Sequence, residues 1–304
     1  MRLGRPQKRH TTFAASAAAA AQSSAALLSR WTTVGRRCHV GPVKHGPEAP
    51  QHGVTITEFG AVGDGVTLNT KAFQNAIFYL NSFADKGGAQ LFVPAGRWLT
   101  GSFSLISHLT LSLDKDAVII GSPDSFHWPV IDPLPSYGRD SSRNVCIDHC
   151  YVTTGDDVIV IKSGWDEYGI SFAHPSSNIS ISNITGETQG GAGIAFGSEM
   201  SGGISEVRAE GLHIVNSLHG IRIKTTPGRG GYVKNVYIAD VSMDNVSMAI
   251  RITGNYGEHP DDRYDRKALP MISNITIKDV VGINIGVAGS KVLAKGLASW
   301  NELC

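Results

Sequence analysis

Residues 178–197 read NISISNITGETQGGAGIAFG: an asparagine, an alternating apolar strand, a polar turn, and a second apolar strand that ends at glycine. Residues 144–161 have the same form, stretches at 235–252 and 274–285 repeat it, and a stretch at 212–224 repeats it with Leu212 in place of the asparagine. Repeats of a few tens of residues with short β-strands are typical of solenoids, in which each coil buries its apolar face against its neighbours. No helical period separates these strands. The sequence therefore predicts an all-β fold, a parallel β-helix. A β-sandwich is the less favoured alternative because hairpin dipeptides are sparse.

A helix is predicted over residues 69–85, before the first repeat. Asn69 or Thr70 can cap its start, and Gly87-Gly88 can end it. Its apolar stripe consists of Ala72, Phe73, Ala76, Ile77 and Leu80. A solenoid needs a polar-faced cap over the open end of its first coil. We therefore interpret this segment as an N-terminal capping helix.

Two adjacent carboxylates, Asp156 and Asp157, begin the second strand of one repeat, in TTGDDVIVIKSG (153–164). Successive strand residues point to opposite faces, so neighbouring acids share one pocket only where a bend or bulge redirects one of them. Two acids in one groove can divide general-acid and general-base work. The alternative is a solvated Gly-Asp turn that begins a strand.

A basic pair, Arg222 and Lys224, lies in the second strand of a later repeat. Alternation puts both on the outer face and turns Ile221 and Ile223 towards the core. Coils stack about 4.8 Å apart, so the acidic and basic pairs can border one groove. This arrangement predicts a cleft for an anionic polymer. The alternative is an ordinary charged face of an outer strand.

Four stretches together resemble glycoside hydrolase family 28, the polygalacturonase family of right-handed parallel β-helices, and especially its plant branch. The paired-Asp and Arg-Ile-Lys motifs occur in the order of that family, and the likeness covers most of residues 54–289. The matching stretches are ITEFGAVGDGVTLNTKAF (56–73), NVCIDHCYVTTGDDVIVIKSGWDEYGI (144–170), GIAFGSEMSGG (193–203) and GIRIKTTPGRGGYVKN (220–235).

The resemblance implies a polygalacturonase-like glycosidase that cleaves pectic polysaccharide with inversion and needs no metal or other cofactor. By this resemblance Asp156 is the general acid, Asp157 helps to activate water, and Arg222 and Lys224 bind the sugar carboxylate beside the scissile bond. Tyr256, in Thr-Gly-Asn-Tyr, resembles a family tyrosine near that subsite. The residue types suit the reaction, because inversion needs an acid and a base about 6.5–9.5 Å apart with water between base and sugar. Arginine can also grip a carboxylate with a bidentate fork.

The chain departs from the family pattern in ways that bear on activity. The Asn-Thr-Asp-Gly motif, which carries a third catalytic carboxylate, is absent, and we expect coils to be missing at 139/140. The family's Gly-His-Gly is Gly191-Ala192-Gly193 here, which leaves rhamnogalacturonan and xylogalacturonan open as substrates beside polygalacturonan. We therefore predict an impaired hydrolase. The alternative is a catalytically inactive β-solenoid remnant or a carbohydrate-binding protein.

Three regions follow from these patterns. Residues 51–289 are predicted as the β-helix, and 290–304 as an irregular tail in which the repeat has stopped. Residues 1–50 match nothing in the family and are interpreted as a leader or disordered extension. They are rich in Arg, Ser and Ala, which fits a secretory leader or an organelle transit peptide, and the family resemblance favours secretion to the cell wall. No stretch reaches eighteen apolar residues, so no membrane span is predicted.

Composition adds several exclusions. A net charge of +1 and the lack of a basic patch interleaved with aromatic residues argue against nucleic-acid binding. Cys146 and Cys150 would lie about 13 Å apart on one strand, too far for a disulfide with each other, and are predicted as buried stacking residues. His149, His213 and His219 lack the spacing of zinc ligands. We expect a monomer whose partner is its pectic substrate.

Overall fold

The structure is a computed structural model that describes residues 26–29, 52–128, 141–293 and 299–303. Its β-strands are β1 (Ala26–Ser29), β2 (His52–Thr55), β3 (Ala89–Val93), β4 (Gly96–Thr100), β5 (Leu109–Leu113), β6 (Ala117–Gly121), β7 (Arg143–Thr154), β8 (Ile159–Ile161), β9 (Ser176–Thr188), β10 (Ala192–Phe196), β11 (Ile204–Lys224), β12 (Tyr232–Thr253), β13 (Met271–Leu293) and β14 (Ser299–Leu303). Its α-helices are α1 (Thr70–Asn81) and α2 (Asp166–Phe172), and short 3-10 helices span Ile56–Phe59 and Ser125–His127.

The coils stack in parallel, which confirms the predicted parallel β-helix. β7, β9, β11, β12 and β13 pair side by side in chain order, and β8, β10 and the end of β11 form a second parallel ladder beside them. Crossovers between parallel strands of one sheet are right-handed with few exceptions. This path is that of a right-handed parallel β-helix, in which residues far apart in sequence become neighbours.

Several strands are longer than the predicted four or five residues, because they turn corners without breaking their ladders. The corner residues have left-handed backbone conformations, with φ of 54° at Asn183, 49° at Asn216 and 54° at Asn245. Asparagine tolerates this region better than other non-glycine residues. Side-chain amides also bond from coil to coil, as Asn245 Nδ2 does to Asn216 Oδ1 at 2.8 Å. The asparagines that begin four of the repeats, Asn144, Asn178, Asn235 and Asn274, have the same conformation, with φ between 51° and 56°, and are corner residues too.

Asn235 allows a test of this corner design. It has φ of 53°, donates from Nδ2 to Glu206 Oε1 at 2.5 Å and accepts at Oδ1 from Asn274 Nδ2 at 2.8 Å. We expect Asn235→Ala to lower the free energy of unfolding by about 2 kcal/mol, through backbone strain and two lost hydrogen bonds. Asn235→Gly, which removes the bonds but accepts the φ, should cost less. Urea unfolding measures both, and equal losses would contradict a role for backbone strain.

The core consists of apolar columns that run along the helix axis. In one column Ile179, Val207, Val236 and Ile275 pair in register on four successive coils, and each is at least 95% buried. Burying such a side chain stabilises the fold by roughly 1.5–3 kcal/mol. The alternation in each repeat thus holds the coils in phase, and it leaves the opposite face of the strands for polar side chains.

The predicted capping helix is confirmed as α1, with a different end. All five residues of its apolar stripe are buried against β3 and its neighbours. Asn69 is the N-cap, but its side chain bonds the backbone of Val62 and Thr67 instead of the helix. The helix ends at Asn81 and turns continue to Gly87, so the end predicted at residue 85 was wrong.

The predicted irregular tail at 290–304 was wrong where the structure describes it. β13 continues to Leu293, and β14 pairs in parallel with the start of β13, so Ile275 lies opposite Leu303. Backbone pairing therefore continues the stack of coils here, although the alternation of apolar residues is weak in this segment.

Of residues 1–50, only β1 is described, and it pairs antiparallel with both β6 and β7. The expected loss of coils at 139/140 lies outside the described residues.

The cysteine prediction was half wrong. Cys146 is disulfide-bonded, and it is exposed because it lies on the outer face of β7. Cys150 is a free thiol, half-buried beside Val152, and burial raises its pKa to about 11. Within the described ranges, neither helix is long and apolar enough to cross a bilayer.

Candidate active site

The acidic pair lies in the tight connection between β7 and β8. Asp156 is exposed, whereas the side chain of Asp157 is only 5% exposed. The next coil passes so close that a Cβ at Gly191 would lie 2.3 Å from the backbone nitrogen of Asp157. Only glycine fits this approach without displacing the peptide between the two acids. The Gly-Gly at 190–191 therefore helps to fix the backbone that presents both carboxylates.

The two carboxylates have different surroundings. Asp156 Oδ1 accepts the backbone N–H of Asp157 at 2.7 Å. Asp157 Oδ1 accepts the backbone N–H of Ala192 at 2.9 Å, and its Oδ2 accepts from Lys224 Nζ at 2.6 Å. Both oxygens of Asp157 are thus held by hydrogen bonds, one of them from a cation. Asp156 has no cationic partner among the described residues. Asp157 is therefore a carboxylate held in place by its neighbours, whereas the side chain of Asp156 is open to solvent.

The basic pair lies beside these acids. Ile221 and Ile223 are fully buried in the core, so Arg222 and Lys224 share the outer face as predicted. Burial alone lowers the pKa of Lys224, but the charge and hydrogen bond of Asp157 outweigh this effect and raise it. Tyr256 lies under both cations, with its ring centroid 5.4 Å from the Arg222 guanidinium carbon and 5.6 Å from Lys224 Nζ. We call the surface formed by these five residues the cleft.

Arg222 differs from Lys224 in having no anionic partner. Its Nε is buried without a hydrogen bond, and no described carboxylate forms an ion pair with its guanidinium. A buried donor left unpaired costs free energy, roughly 1–3 kcal/mol. The planar guanidinium offers a bidentate fork that matches a carboxylate. Arg222 is therefore the group in the cleft that is best prepared to receive an anionic ligand.

A buried ion pair lies beneath Lys224. Lys162 Nζ is 3.0 Å from Glu199 Oε2, and both side chains are at most 5% exposed. Burial alone raises the pKa of Glu199, but the Lys162 ammonium outweighs this and holds the pKa well below its usual range. Lys162 also lies in the fields of Lys224 and Asp157. Asp157, Lys224, Lys162 and Glu199 thus form one cluster of two acids and two bases that extends from the cleft into the interior.

A second buried cluster surrounds Arg229, which is fully buried. Its guanidinium binds Asp166 Oδ1 through Nη1 and the carbonyl oxygen of Ser198 through Nε at 2.9 Å. His259 Nδ1 lies 2.7 Å from the other oxygen of Asp166. The cluster joins α2 to the segments after β10, β11 and β12. It fixes the loops that lead to the cleft.

The sequence predictions include all five residues of the cleft but not the buried charged residues behind them. Glu199, Asp166 and Arg229 lie in the quoted stretches GSEMSGG, GWDEYGI and GRGGYVKN but were given no role. Charged residues set among glycines at coil ends are the signal that could have found them. The helix α2 was also missed, because its seven residues are too short for a helical period. Arg251 was missed although Ile250-Arg251-Ile252 repeats Ile221-Arg222-Ile223.

The side of the cleft that precedes β8 is incomplete in the described chain. β8 pairs with β10 on one edge, and no described strand pairs with the other. The N-terminal neighbour of β7 is the antiparallel β1 and not a preceding coil. A coil stacked before β8 is where a third carboxylate could face Asp156 and Asp157. Two carboxylates are therefore the described acidic complement of the cleft.

Comparisons with known proteins agree on one family. The profile of Glycosyl hydrolases family 28 matches residues 137–296. A probable polygalacturonase of Vitis vinifera is 37% identical, over 78% of this chain and 70% of the relative. An endo-polygalacturonase of Pectobacterium carotovorum is 28% identical, over 61% of this chain and 45% of that protein. The fold matches an exopolygalacturonase of Thermotoga maritima with a TM-score of 0.52 at 22% identity, over 78% of this chain and 82% of that one.

The Vitis alignment also shows a length difference. It extends over 343 positions but takes in 78% of the 304 residues here, which is about 237 residues. Roughly a hundred aligned positions of the relative thus have no counterpart in this chain. A difference of this size corresponds to several coils of about thirty residues. It agrees with the absence of an Asn-Thr-Asp sequence.

Proposed function

Because the chain belongs to Glycosyl hydrolases family 28, we propose that the cleft hydrolyses pectic polysaccharide by acid/base catalysis with inversion. The protein is a glycoside hydrolase of the pectin-degrading type. The observation that carries the proposal is the contact of Asp157 with Lys224, beside a guanidinium without an anionic partner. One buried carboxylate, one exposed carboxyl and a group able to bind anions thus line one face, with the β9–β10 coil between the acids and the basic pair.

We propose roles for the two acids from their surroundings. Asp156 is exposed and has no ion pair among the described residues, so its carboxyl is accessible to the leaving oxygen and is proposed as the general acid. Asp157 is held in place by hydrogen bonds from Lys224 and the Ala192 N–H, and it is proposed to orient and activate water. Arg222, backed by Tyr256, binds the uronate carboxylate next to the scissile bond. Lys224 adds positive charge there while it holds Asp157.

The rate is proposed to be low. An inverting hydrolase needs its base well separated from its acid, with water between base and sugar. Asp156 and Asp157 are neighbours in sequence, and no described residue supplies a carboxylate from a preceding coil. Without it, water is positioned from one side only. We propose an impaired enzyme. In the alternative, a carbohydrate-binding β-solenoid, Arg222 would bind the sugar carboxylate without hydrolysis.

The site fits the cell wall as its place of action, and we propose a secreted monomer there. The support is family membership and the exposed disulfide of Cys146, since disulfides persist in oxidising compartments. The substrate is proposed to be polygalacturonan or a related pectin, and Ala192, where the family has histidine, leaves the choice among these pectins open.

The experiment is a hydrolysis assay with polygalacturonan, rhamnogalacturonan and xylogalacturonan in parallel. We expect reducing ends to appear slowly, with first products whose anomeric configuration, followed by NMR, is opposite to that of the cleaved bond. Retained configuration, or no product from any substrate over long incubation, would contradict the proposed hydrolysis. A rate equal to that of a full-length plant relative would contradict the proposed impairment.

A further inference from the structure

Arg251 occupies the position next to Arg222 on the following coil. Arg222 pairs in register with Arg251, and Lys224 with Thr253, so these side chains share one outer face. Neighbouring coils lie about 4.8 Å apart. The positive charge of Arg222 and Lys224 on β11 is therefore followed by that of Arg251 on the next coil, β12.

Arg251 has no anionic partner in the described part of the chain. Its Nη1 donates to His219 Nε2 at 3.1 Å, and its Nε is buried without a hydrogen bond. Thr253 is 5% exposed, and its Oγ1 is also buried without a partner. Like charges directly opposite on paired strands are unfavourable. Two stacked arginines with buried unpaired donors are a costly arrangement that an anionic ligand would relieve.

His219 holds Arg251 without adding charge. The residue is 2% exposed, and burial, followed by the charge of Arg222, lowers its pKa to about 4. The ring is therefore neutral at mildly acidic or neutral pH. Because Nε2 accepts from Arg251, the ring proton lies on Nδ1. His219 also pairs in register with Ala192, whose N–H binds Asp157. It is a positioning residue at the floor of the same cleft.

We propose that Arg251, positioned by His219, binds the carboxylate of a second uronate, adjacent to the one held by Arg222. This inference rests on the proposed function and specifies its substrate. Consecutive coils would then receive consecutive carboxylates of a polymer lying along the helix axis. Such a cleft selects unesterified polygalacturonan over rhamnogalacturonan, in which uronates alternate with neutral sugars.

Calorimetric binding of a galacturonate oligomer tests the proposal in the Asp156→Asn background, where the oligomer is not cleaved. We expect Arg251→Gln to weaken binding roughly 10- to 100-fold, the usual worth of a hydrogen-bonded charge contact. Binding of the methyl-esterified oligomer should change less than about twofold, because it has no carboxylate to lose. Arg251→Lys should recover part of the affinity, and His219→Gln should give an intermediate loss. Arg208→Gln, on an exposed arginine paired with Glu210, is the matched control.

The outcomes separate this inference from the proposed function. If Arg222→Gln weakens oligomer binding and Arg251→Gln does not, the second carboxylate site is wrong while the proposed function stands. Equal losses for the acid and ester oligomers would make Arg251 a structural residue and overturn the inference. If the protein binds neither oligomer, the proposed function itself fails.

Discussion

Asp156→Asn is expected to reduce pectic hydrolysis by roughly 10²–10⁴-fold, the usual contribution of a general acid. The amide cannot deliver a proton, yet its oxygen can still accept the N–H of Asp157. Because Asp156 is exposed and has no ion pair in the described structure, the fold should be unaffected. Reducing-end release and a melting curve of the same preparation measure the two effects together.

The neighbouring acid makes this prediction specific. Asp157→Asn should also abolish hydrolysis, but it leaves Lys224, which is 7% exposed, without its carboxylate. Removing one partner of a buried pair costs about 3–5 kcal/mol, so this variant should also melt earlier. Asp240→Asn is the matched control, because Asp240 is exposed at a corner of β12 with φ of 54°, which asparagine accepts. Unchanged hydrolysis by Asp156→Asn would exclude it as the general acid.

Arg229→Met is expected to lower the free energy of unfolding by about 3–5 kcal/mol. The change leaves the fully buried Asp166 carboxylate without its guanidinium and removes the hydrogen bonds to Ser198. Breaking a buried pair is costly because the remaining charge keeps its desolvation penalty. Urea denaturation followed by tryptophan fluorescence and circular dichroism measures the loss.

Two further variants identify the cause of that loss. Arg208→Met removes an exposed arginine that pairs with Glu210, and it should cost at most about 1 kcal/mol. Adding Asp166→Asn to Arg229→Met should recover part of the stability, because the uncompensated charge is then gone. A loss from Arg229→Met no larger than that from Arg208→Met would show that the buried cluster does not stabilise the fold.

Where sequence reasoning succeeded, local geometry carried it. The two-residue period of strands fixed which side chains face inwards, so Ile221 and Ile223 were placed in the core and Arg222 and Lys224 outside. The same argument found α1 from its apolar stripe. The paired acids were located from the sequence itself, whereas their roles came from the resemblance and stay predictions. The failures at α2 and at residues 290–304 concern segments whose apolar pattern is short or weak. Cys146 is different, because it alternates with Val145 and Ile147 and the strand period itself puts it on the outer face.

The sequence by itself determined the repeating strand, its buried face and hence the β-helix, because side-chain alternation acts between residues only two apart. Only the tertiary structure decided which coils bring which side chains together. Ile204 pairs with Val233 but Tyr232 with Met271, offsets of 29 and 39 residues, so coil lengths vary and set the register. The contacts of Lys224 with Asp157, Arg251 with His219, and Arg229 with Asp166 all depend on that register. The physical reason is that such contacts arise from stacking across turns of variable length, which no local period encodes.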